Sequence, residues 1–391
     1  MHATPRTAAQ KYLLVTPDAF SMFKAAEMLS LLAMTKEPFT LTDLDGKEII
    51  SSNLAPPVLF ILQTTATALS FLMDRAMLVS RAILLPCSPK QEDFLGIINN
   101  RPNKTYKIET ASYKRKLAFA DKVELMEELN YALAGKKANL QAPDLIIEII
   151  ETETETFHGV HLGEARRKEY LQYDVKKRTF IGTTAMDNEI SFIMANLSQI
   201  ASNSIVLDCY AGTGSILLPC AVLGAFVIGT DINMRQYEGM KKEHRNKKIR
   251  TLLRGTDVFS NFAQYNLTSK VLFFGVSDVF KPSVFKPCSV DAIVCDPPYG
   301  QRESVSHTPE TAKKGGNVYF EQTLPFVLEI FRFGDSCLKP KGRICFFIPH
   351  ATDYTLPETL PVPGTYTEVH RGTQYLNTIY SRTLFLYARK I

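Results

Sequence analysis

Four short apolar runs in the second half of the chain each bring an aspartate to their carboxyl end, and this pattern most constrains what the sequence can fold into. The runs cover residues 204–208, 225–230, 271–276 and 291–295, and the acids are Asp208, Asp231, Asp278 and Asp296. A fifth run lies at 344–348. The runs are continuous rather than alternating in polarity, as strands covered on both faces are. After the first, Gly212 and Gly214 turn the chain and residues 215–223 carry helical spacing; residues 234–245 do the same after the second. Strand alternating with helix selects an α/β doubly wound sheet. Residues 365–370 and 380–388 are expected to close it as a hairpin.

The first half has a different rhythm. Strands are expected at 12–15, 58–62, 80–85, 105–110 and 145–150, and helices at 19–34, 65–74 and 122–134. This reads as two small α/β units before residue 160. The polar, charged span 164–178 reads as the interdomain linker.

Composition sets outer bounds. A chain of 391 residues with 45% hydrophobic residues is too long for one compact unit and buries a sizeable core. A net charge of +5 permits an anionic partner without requiring one. The seven cysteines are odd in number and include no Cys-x-x-Cys pair, which points away from a disulfide framework or a zinc ribbon and toward a reducing, cytoplasmic setting. The first residues lack the apolar core of a signal peptide. No apolar run reaches the ~18–20 residues of a spanning helix, so no membrane association is expected. His158 and His161 stand three apart with no third ligand near in sequence, so no metal site is expected.

The motifs carry the chemistry. In VLDCYAGTGS (206–215) a strand delivers Asp208, and Ala211, Gly212, Thr213 and Gly214 form a turn whose backbone approaches a ligand at a helix start. The third glycine of the dinucleotide fingerprint is missing, and Asp-x-x-x-Gly-x-Gly is typical of the cofactor loop of class I methyltransferases, which bind S-adenosylmethionine. Asp231 is placed to accept ribose hydroxyls, although an acid there also caps a helix. Asp278 follows the third strand and is preferred over Asp257 as the acceptor for an adenine amine. Asp296, Pro297, Pro298 and Tyr299, in DPPYG (296–300), resemble the Asp/Asn-Pro-Pro-Tyr/Phe loop that in class I methyltransferases marks methylation of an amino group conjugated to a planar system. An exocyclic base amine delocalises its lone pair into the ring. The Asp296 carboxylate and Pro297 carbonyl can accept hydrogen bonds from it and free that lone pair. The two prolines stiffen the backbone and remove competing donors, and Tyr299 offers a stacking face. A flipped or single-stranded base must reach this pocket, so another part of the chain must hold nucleic acid. Residues 301–317 read as a lid or as a solvated loop. A DNA adenine-amine methyltransferase would share the Asp-Pro-Pro-Tyr loop but needs a larger recognition domain than the first half offers. A nicotinamide oxidoreductase lacks a reason for that loop, and the intact Asp208, Asp231 and Asp296 argue against a catalytically dead binding protein.

With these motifs in place, the chain resembles the catalytic subunit of the THUMP-domain tRNA guanosine-N2 methyltransferases that act at position ten. YDVKKRTFIGTTAMDNEISFIMAN (173–196), VLDCYAGTGSILLPCAVLGAFVIGTDIN (206–233) and DPPYGQRES (296–304) carry the likeness, which runs over residues 11–390. Cys209 and Tyr210 depart from the Pro and Phe common in that family. The resemblance implies a ferredoxin-like unit at 1–64, a THUMP domain at 65–160 that grips tRNA, a linker at 161–186 and a class I (Rossmann-like) methyltransferase domain with a mostly parallel seven-stranded sheet at 187–391. It implies S-adenosylmethionine as methyl donor and a small zinc-binding activator subunit that pairs with an edge strand, for which residues 271–276 are the candidate. The basic residues Lys114, Arg115, Lys116, Lys176, Lys177, Arg178 and Arg302 are expected to touch RNA, with a solvated charged face as the alternative.

Overall fold

The computed structural model describes residues 8–50, 58–86, 91–99, 105–113, 135–182, 185–233, 257–281, 285–299 and 318–390, with residues 120, 123, 127 and 133 in addition. The chain divides into two compact units. One holds the segments ending at Ala19 and Arg167 together with Thr35–Ile50, and the other holds Phe20–Met34 and everything from Lys168 onward.

The first unit is built on one sheet. Its strands are β1 (Gln10–Val15), β2 (Phe39–Thr42), β3 (Leu59–Thr64), β4 (Arg81–Leu85), β5 (Thr105–Ser112), β6 (Lys137–Ala138), β7 (Leu145–Glu151) and β8 (Thr156–Glu164). They lie in the order β2-β3-β1-β4-β8-β7-β5-β6. Strand β1 pairs antiparallel with β3 on one side and β4 on the other, so the boundary expected between residues 64 and 65 falls inside a continuous sheet. Leu13, Val15, Ile83, Leu85, Ile150 and Phe157 form its core. The helix Ala66–Arg75 starts where Thr65 caps it, its side chain accepting from the Ala68 amide at 3.2 Å. The helix expected at 122–134 lies almost wholly outside the described residues.

The second unit is a seven-stranded sheet of β9 (Ile205–Asp208), β10 (Phe226–Asp231), β11 (Val271–Val276), β12 (Val290–Cys295), β13 (Leu338–Ala351), β14 (Tyr366–Tyr375) and β15 (Tyr380–Arg389). The order is β11-β10-β9-β12-β13-β15-β14. The first five pair in parallel, and β15 is antiparallel to both its neighbours. The expected α/β class and terminal hairpin are therefore present. Leu207, Ile293, Phe331, Phe346, Phe385 and Tyr387 anchor one core face. There Phe346 stacks on Phe385 with ring centroids 5.7 Å apart, and Phe331 meets Phe346, Tyr366 and Tyr387 edge-on. Each such fully buried ring contributes roughly 1.5–3 kcal/mol over exposure.

The structure adds detail at two of the expected domain limits. The helix Lys24–Thr35 is present where the sequence implies a helix, but it belongs with the second unit rather than with the rest of residues 1–64. There the Asn196 amide donates to Glu27 Oε1 at 2.8 Å, and Arg343 reaches Ser30 Oγ at 3.3 Å. The expected linker at 161–186 is not a free tether. Residues 161–164 finish β8, and the 3-10 turns Arg166–Tyr173 and Val175–Lys177 follow. Tyr170 and Tyr173 pack on Phe192, and Tyr173 also on Tyr265. Arg178 is the clearest case: it is 6% exposed, and its guanidinium donates to the Tyr173 carbonyl at 3.1 Å, Asn188 Oδ1 at 3.3 Å and the Ser215 carbonyl at 3.5 Å. Burial lowers its pKa to about 10, which leaves it charged at neutral pH. Arg178 is thus a strut inside the second unit rather than an RNA contact.

Replacing Arg178 by Met keeps the apolar stem and strips donors from three buried acceptors. The variant is expected to lose about 1–3 kcal/mol in urea unfolding. Ala at the exposed Lys176 or Lys177 should change stability by less than about 0.5 kcal/mol.

Candidate active site

The chain leaves β9 toward β10 and β11 on one side, then returns to β12 and β13 on the other. Strands β9 and β12 are therefore neighbours that lead in opposite directions, and the crevice beyond their carboxyl ends is the switch point where open α/β sheets bind ligands. Ala292 pairs with Val206 and Ile293 with Leu207, so Asp208 stands level with Val294 and Asp296 follows two residues beyond, both at the carboxyl ends of neighbouring strands.

The loop after β9 is shaped by its glycines. Gly212 has φ of 49° and Gly214 of 73°, in the left-handed region that glycine enters without strain. A Cβ on Gly214 would also lie 3.0 Å from Val258 Cγ2. The Ala211 amide donates to the Thr230 carbonyl at 3.0 Å, and the Gly212 amide to Asp231 Oδ2 at 2.9 Å, which ties the loop to the end of β10. The other Asp231 oxygen accepts from the Asn233 amide at 2.8 Å. Each carboxylate oxygen keeps a lone pair beyond these contacts, so Asp231 can still accept from two ligand hydroxyls. Thr213 is buried, and a Cβ on Gly182 would fall 2.3 Å from its methyl, so the segment carrying Gly182 lies against the loop.

That segment is pinned by side chains that sequence reading did not single out. Asn261 exchanges two 2.8 Å hydrogen bonds with the Phe180 backbone, and Gln264 Oε1 accepts from the Thr179 amide and hydroxyl at 2.8 and 2.7 Å. Asp257 is committed to the same helix, Val258–Gln264, through a capping box with Ser260. Asp278, half-buried beyond β11, accepts from the Phe280 amide at 3.0 Å, and the adjoining Ser277 amide donates to the Asp231 carbonyl at 3.0 Å. Asp278 thus stands beside the end of β10 with lone pairs to spare.

Asp208 is 1% exposed, and its Oδ1 accepts from the Tyr210 amide at 2.9 Å. Burial pushes its carboxyl well above the usual carboxylate range, and the charges of Asp231 and Asp296 add to that rise. Burial likewise raises Asp231, with the Asn233 and Gly212 amides pulling the other way. Three acids converging in one crevice favour a ligand that carries positive charge.

Asp296 closes β12, and Pro297 behind it is buried. Tyr299 Oη donates to Asp296 Oδ1. Arg382 Nη1, from β15, stands 4.0 Å from Asp296 Oδ2. Burial raises the Asp296 carboxyl to about 6, against the pull of Arg382 and of the Tyr299 hydroxyl. Tyr299, Tyr380 and Tyr319 form an aromatic run, with centroids 6.3 Å apart for the first pair and 5.4 Å for the second. The four residues of the Asp-Pro-Pro-Tyr loop are thus brought to the same crevice as the glycine loop. Arg382 escaped sequence reading because it arrives from the far end of the chain.

Of the residues expected to touch RNA, Lys176 and Lys177 are exposed, and Lys177 Nζ donates to the Leu171 carbonyl at 2.9 Å. Lys114, Arg115, Lys116 and Arg302 lie outside the described residues, as does the lid expected at 301–317. His161 Nδ1 meets Glu148 Oε1 at 2.5 Å, with Arg81 Nε on the other oxygen at 2.9 Å. Among the described residues no group of three His, Cys, Asp or Glu is placed to hold a metal ion, and no helix is long and apolar enough to cross a membrane.

Residues 176–312 match the family described as an RMKL-like methyltransferase domain. The chain is similar to the tRNA (guanine(10)-N(2))-methyltransferase TRMT11 of Bos taurus, 34% identical over 66% of this chain and 60% of the relative. It is also similar to TRMT11 of Xenopus laevis, 30% identical over 90% of this chain and 79% of the relative. The match to the mammalian relatives thus spans about three-fifths of their length. Among solved structures, TrmN from Thermus thermophilus is 17% identical, with 97% of this chain and 99% of that one covered at a TM-score of 0.45.

Proposed function

The chain belongs to the family of tRNA (guanine(10)-N(2))-methyltransferases, and from that membership and the site's geometry we propose that it methylates the exocyclic N2 amine of guanosine 10 in tRNA. The observation that carries the proposal is the juxtaposition of Asp296, from the Asp-Pro-Pro-Tyr loop, with the acid-lined glycine loop at the ends of two adjacent parallel strands.

The crevice fits S-adenosylmethionine as methyl donor. Its ammonium and sulfonium suit a crevice where Asp208, Asp231 and Asp296 crowd together, and the amides at Gly212 and Gly214 line a turn that only small backbone can make. Asp208 and the glycine loop would hold the amino-acid end, Asp231 the ribose hydroxyls and Asp278 the adenine amine. When bound, the donor supplies an electrophilic methyl on sulfur. The chain's own work is on the guanine. Asp296 and the Pro297 carbonyl accept from the N2 hydrogens, which draws the nitrogen toward tetrahedral geometry and turns its lone pair toward the methyl. As the N–C bond forms and the C–S bond breaks, the nitrogen gains positive charge, and its surplus proton passes to the Asp296 carboxylate and on to water. Tyr299 now occupies Asp296 Oδ1, so an entering amine exchanges with its hydroxyl, and the ring is left to stack on the base. Holding two partners in this geometry supplies much of the acceleration.

The first unit is the proposed grip on tRNA, in line with the THUMP domain that the family resemblance implies, and Lys176 and Lys177 are exposed basic residues at the start of the second unit. Strand β11 supports the proposal of an activator subunit. It pairs only with β10 among the described strands, and Leu272, Phe273 and Val276 are 52%, 50% and 55% exposed. An apolar edge of this kind suits β-augmentation by a small zinc-binding partner in the cytoplasm.

Two outcomes are expected. Asp296→Asn should lower the rate of methyl transfer to tRNA by about 100-fold or more while donor binding is retained. In the wild type the carboxylate is the working form, so the rate should hold above its pKa and fall as pH drops through about 6. A pH–rate profile flat to pH 4, or an unimpaired Asn variant, contradicts the assignment. For the partner, Leu272→Asp with Phe273→Asp should abolish co-purification of a small subunit and depress activity. Full activity of the isolated chain removes the need for one.

A further inference from the structure

Arg382 is a buried cation at the edge of the reacting site, with 11% of its side chain exposed. It sits in β15 opposite Pro349 of β13 and Gln374 of β14. Four contacts fix it, one of them a side-chain hydrogen bond with Tyr299. Its guanidinium carbon lies 4.2 Å above the Phe347 ring. Its Nε donates to Gln374 Oε1 at 2.8 Å. That leaves the Nη end directed at the Asp-Pro-Pro-Tyr loop, with Nη1 4.0 Å from Asp296 Oδ2. Tyr299 takes the other oxygen, Oδ1. The two oxygens of Asp296 are therefore distinguished by what faces them: Oδ2 the Arg382 cation, and Oδ1 the Tyr299 hydroxyl, which Arg382 also contacts.

We propose that Arg382 is a positioning residue for methyl transfer, holding Asp296 in its charged form and reserving Oδ1 for the substrate amine. The need for such a residue follows from the groups around Asp296. Asp208 on β9 is buried, with its own carboxyl raised well above the usual range, and Cys295 precedes Asp296 in a fully buried position. Tyr299 on its own loop donates a neutral hydrogen bond. Tyr380, two residues before Arg382 on β15, contributes a ring but no charge. Burial favours the protonated acid, which cannot accept from the amine through its hydroxyl oxygen or take the proton released on methylation. Arg382 opposes that, together with the Tyr299 hydroxyl. Stacking on Phe347 and the bond to Gln374 also explain why arginine rather than lysine fills the position, since only a planar fork can be held at one nitrogen while the others face Asp296 and Tyr299.

The inference rests on the proposed methyl transfer, and the test separates the two. The full chain, purified by affinity tag from its own cells so that any bound subunit is retained, is assayed for transfer of labelled methyl to tRNA between pH 5 and pH 9. Wild-type protein that methylates no tRNA at any pH defeats the functional reading itself. Given an active wild type, Arg382→Gln should move the acid limb of the pH–rate profile upward by about one unit or more. Arg382→Lys, which restores the charge, should return the limb toward the wild-type position. An unchanged limb in Arg382→Gln, whatever its rate, overturns the inference and leaves Arg382 a packing residue. If Arg382→Gln is inactive throughout, Arg382→Lys decides: activity with a wild-type limb supports the charge role, and equal inactivity overturns it.

Discussion

The parallel pairing of β9 with β12 is the constraint on which the site depends. These strands are not consecutive in sequence; between them the chain runs out through β10 and β11 and back. Because they pair in register, the carboxyl ends of both open on one crevice, with a glycine turn on one side and a proline-stiffened turn on the other. The contrast is functional. The first turn must let backbone approach a ligand closely, and the second must present a carboxylate and a carbonyl without competing amides. Neighbouring elements then hold the turns in place: Thr230 and Asp231 tie down the first, and the segment 179–182, pinned by Asn261 and Gln264, lies against it.

Charge is the second organising feature. Burying Asp208 with Asp231 and Asp296 close by costs stability, since burial and those two charges raise its affinity for a proton. Such an arrangement is selected for by what it binds rather than by folding. A cationic methyl donor relieves the acids at one end, and Arg382 relieves Asp296 at the other. Burial, opposed by Arg382 and the Tyr299 hydroxyl, sets the Asp296 carboxyl at about 6, which on the proposed mechanism is close enough to neutrality to take a proton and low enough to be ionised when the amine arrives.

Much of this was legible in the sequence because the chemistry lies in contiguous motifs. VLDCYAGTGS and DPPYG each combine a strand end with the turn that follows, so spacing alone places Asp208, Gly212, Gly214, Asp231 and Asp296 at strand ends. What was not legible depends on distant pairing. Arg382 meets Asp296 only because β15 inserts antiparallel between β13 and β14. Arg178 looked like part of an exposed basic run, yet its guanidinium turns inward to buried carbonyls while Lys176 and Lys177 remain in water. The helix Val318–Cys337 is hidden by Pro325 within it, and β8 by glycines and histidines that blur alternation. The helix Lys24–Thr35 was readable as a helix, but nothing local says that it belongs with a unit whose other residues begin far downstream.

The central claim is that this crevice places a methyl group on the N2 amine of guanosine 10. Mass spectrometry of tRNA fragments spanning position 10, from cells lacking this protein, addresses it most directly. The account predicts that N2-methylated guanosine disappears at that position, returns with the wild-type chain and does not return with Asp296→Asn. Unaltered methylation at position 10 in the deficient cells, or its full return with Asp296→Asn, would contradict it.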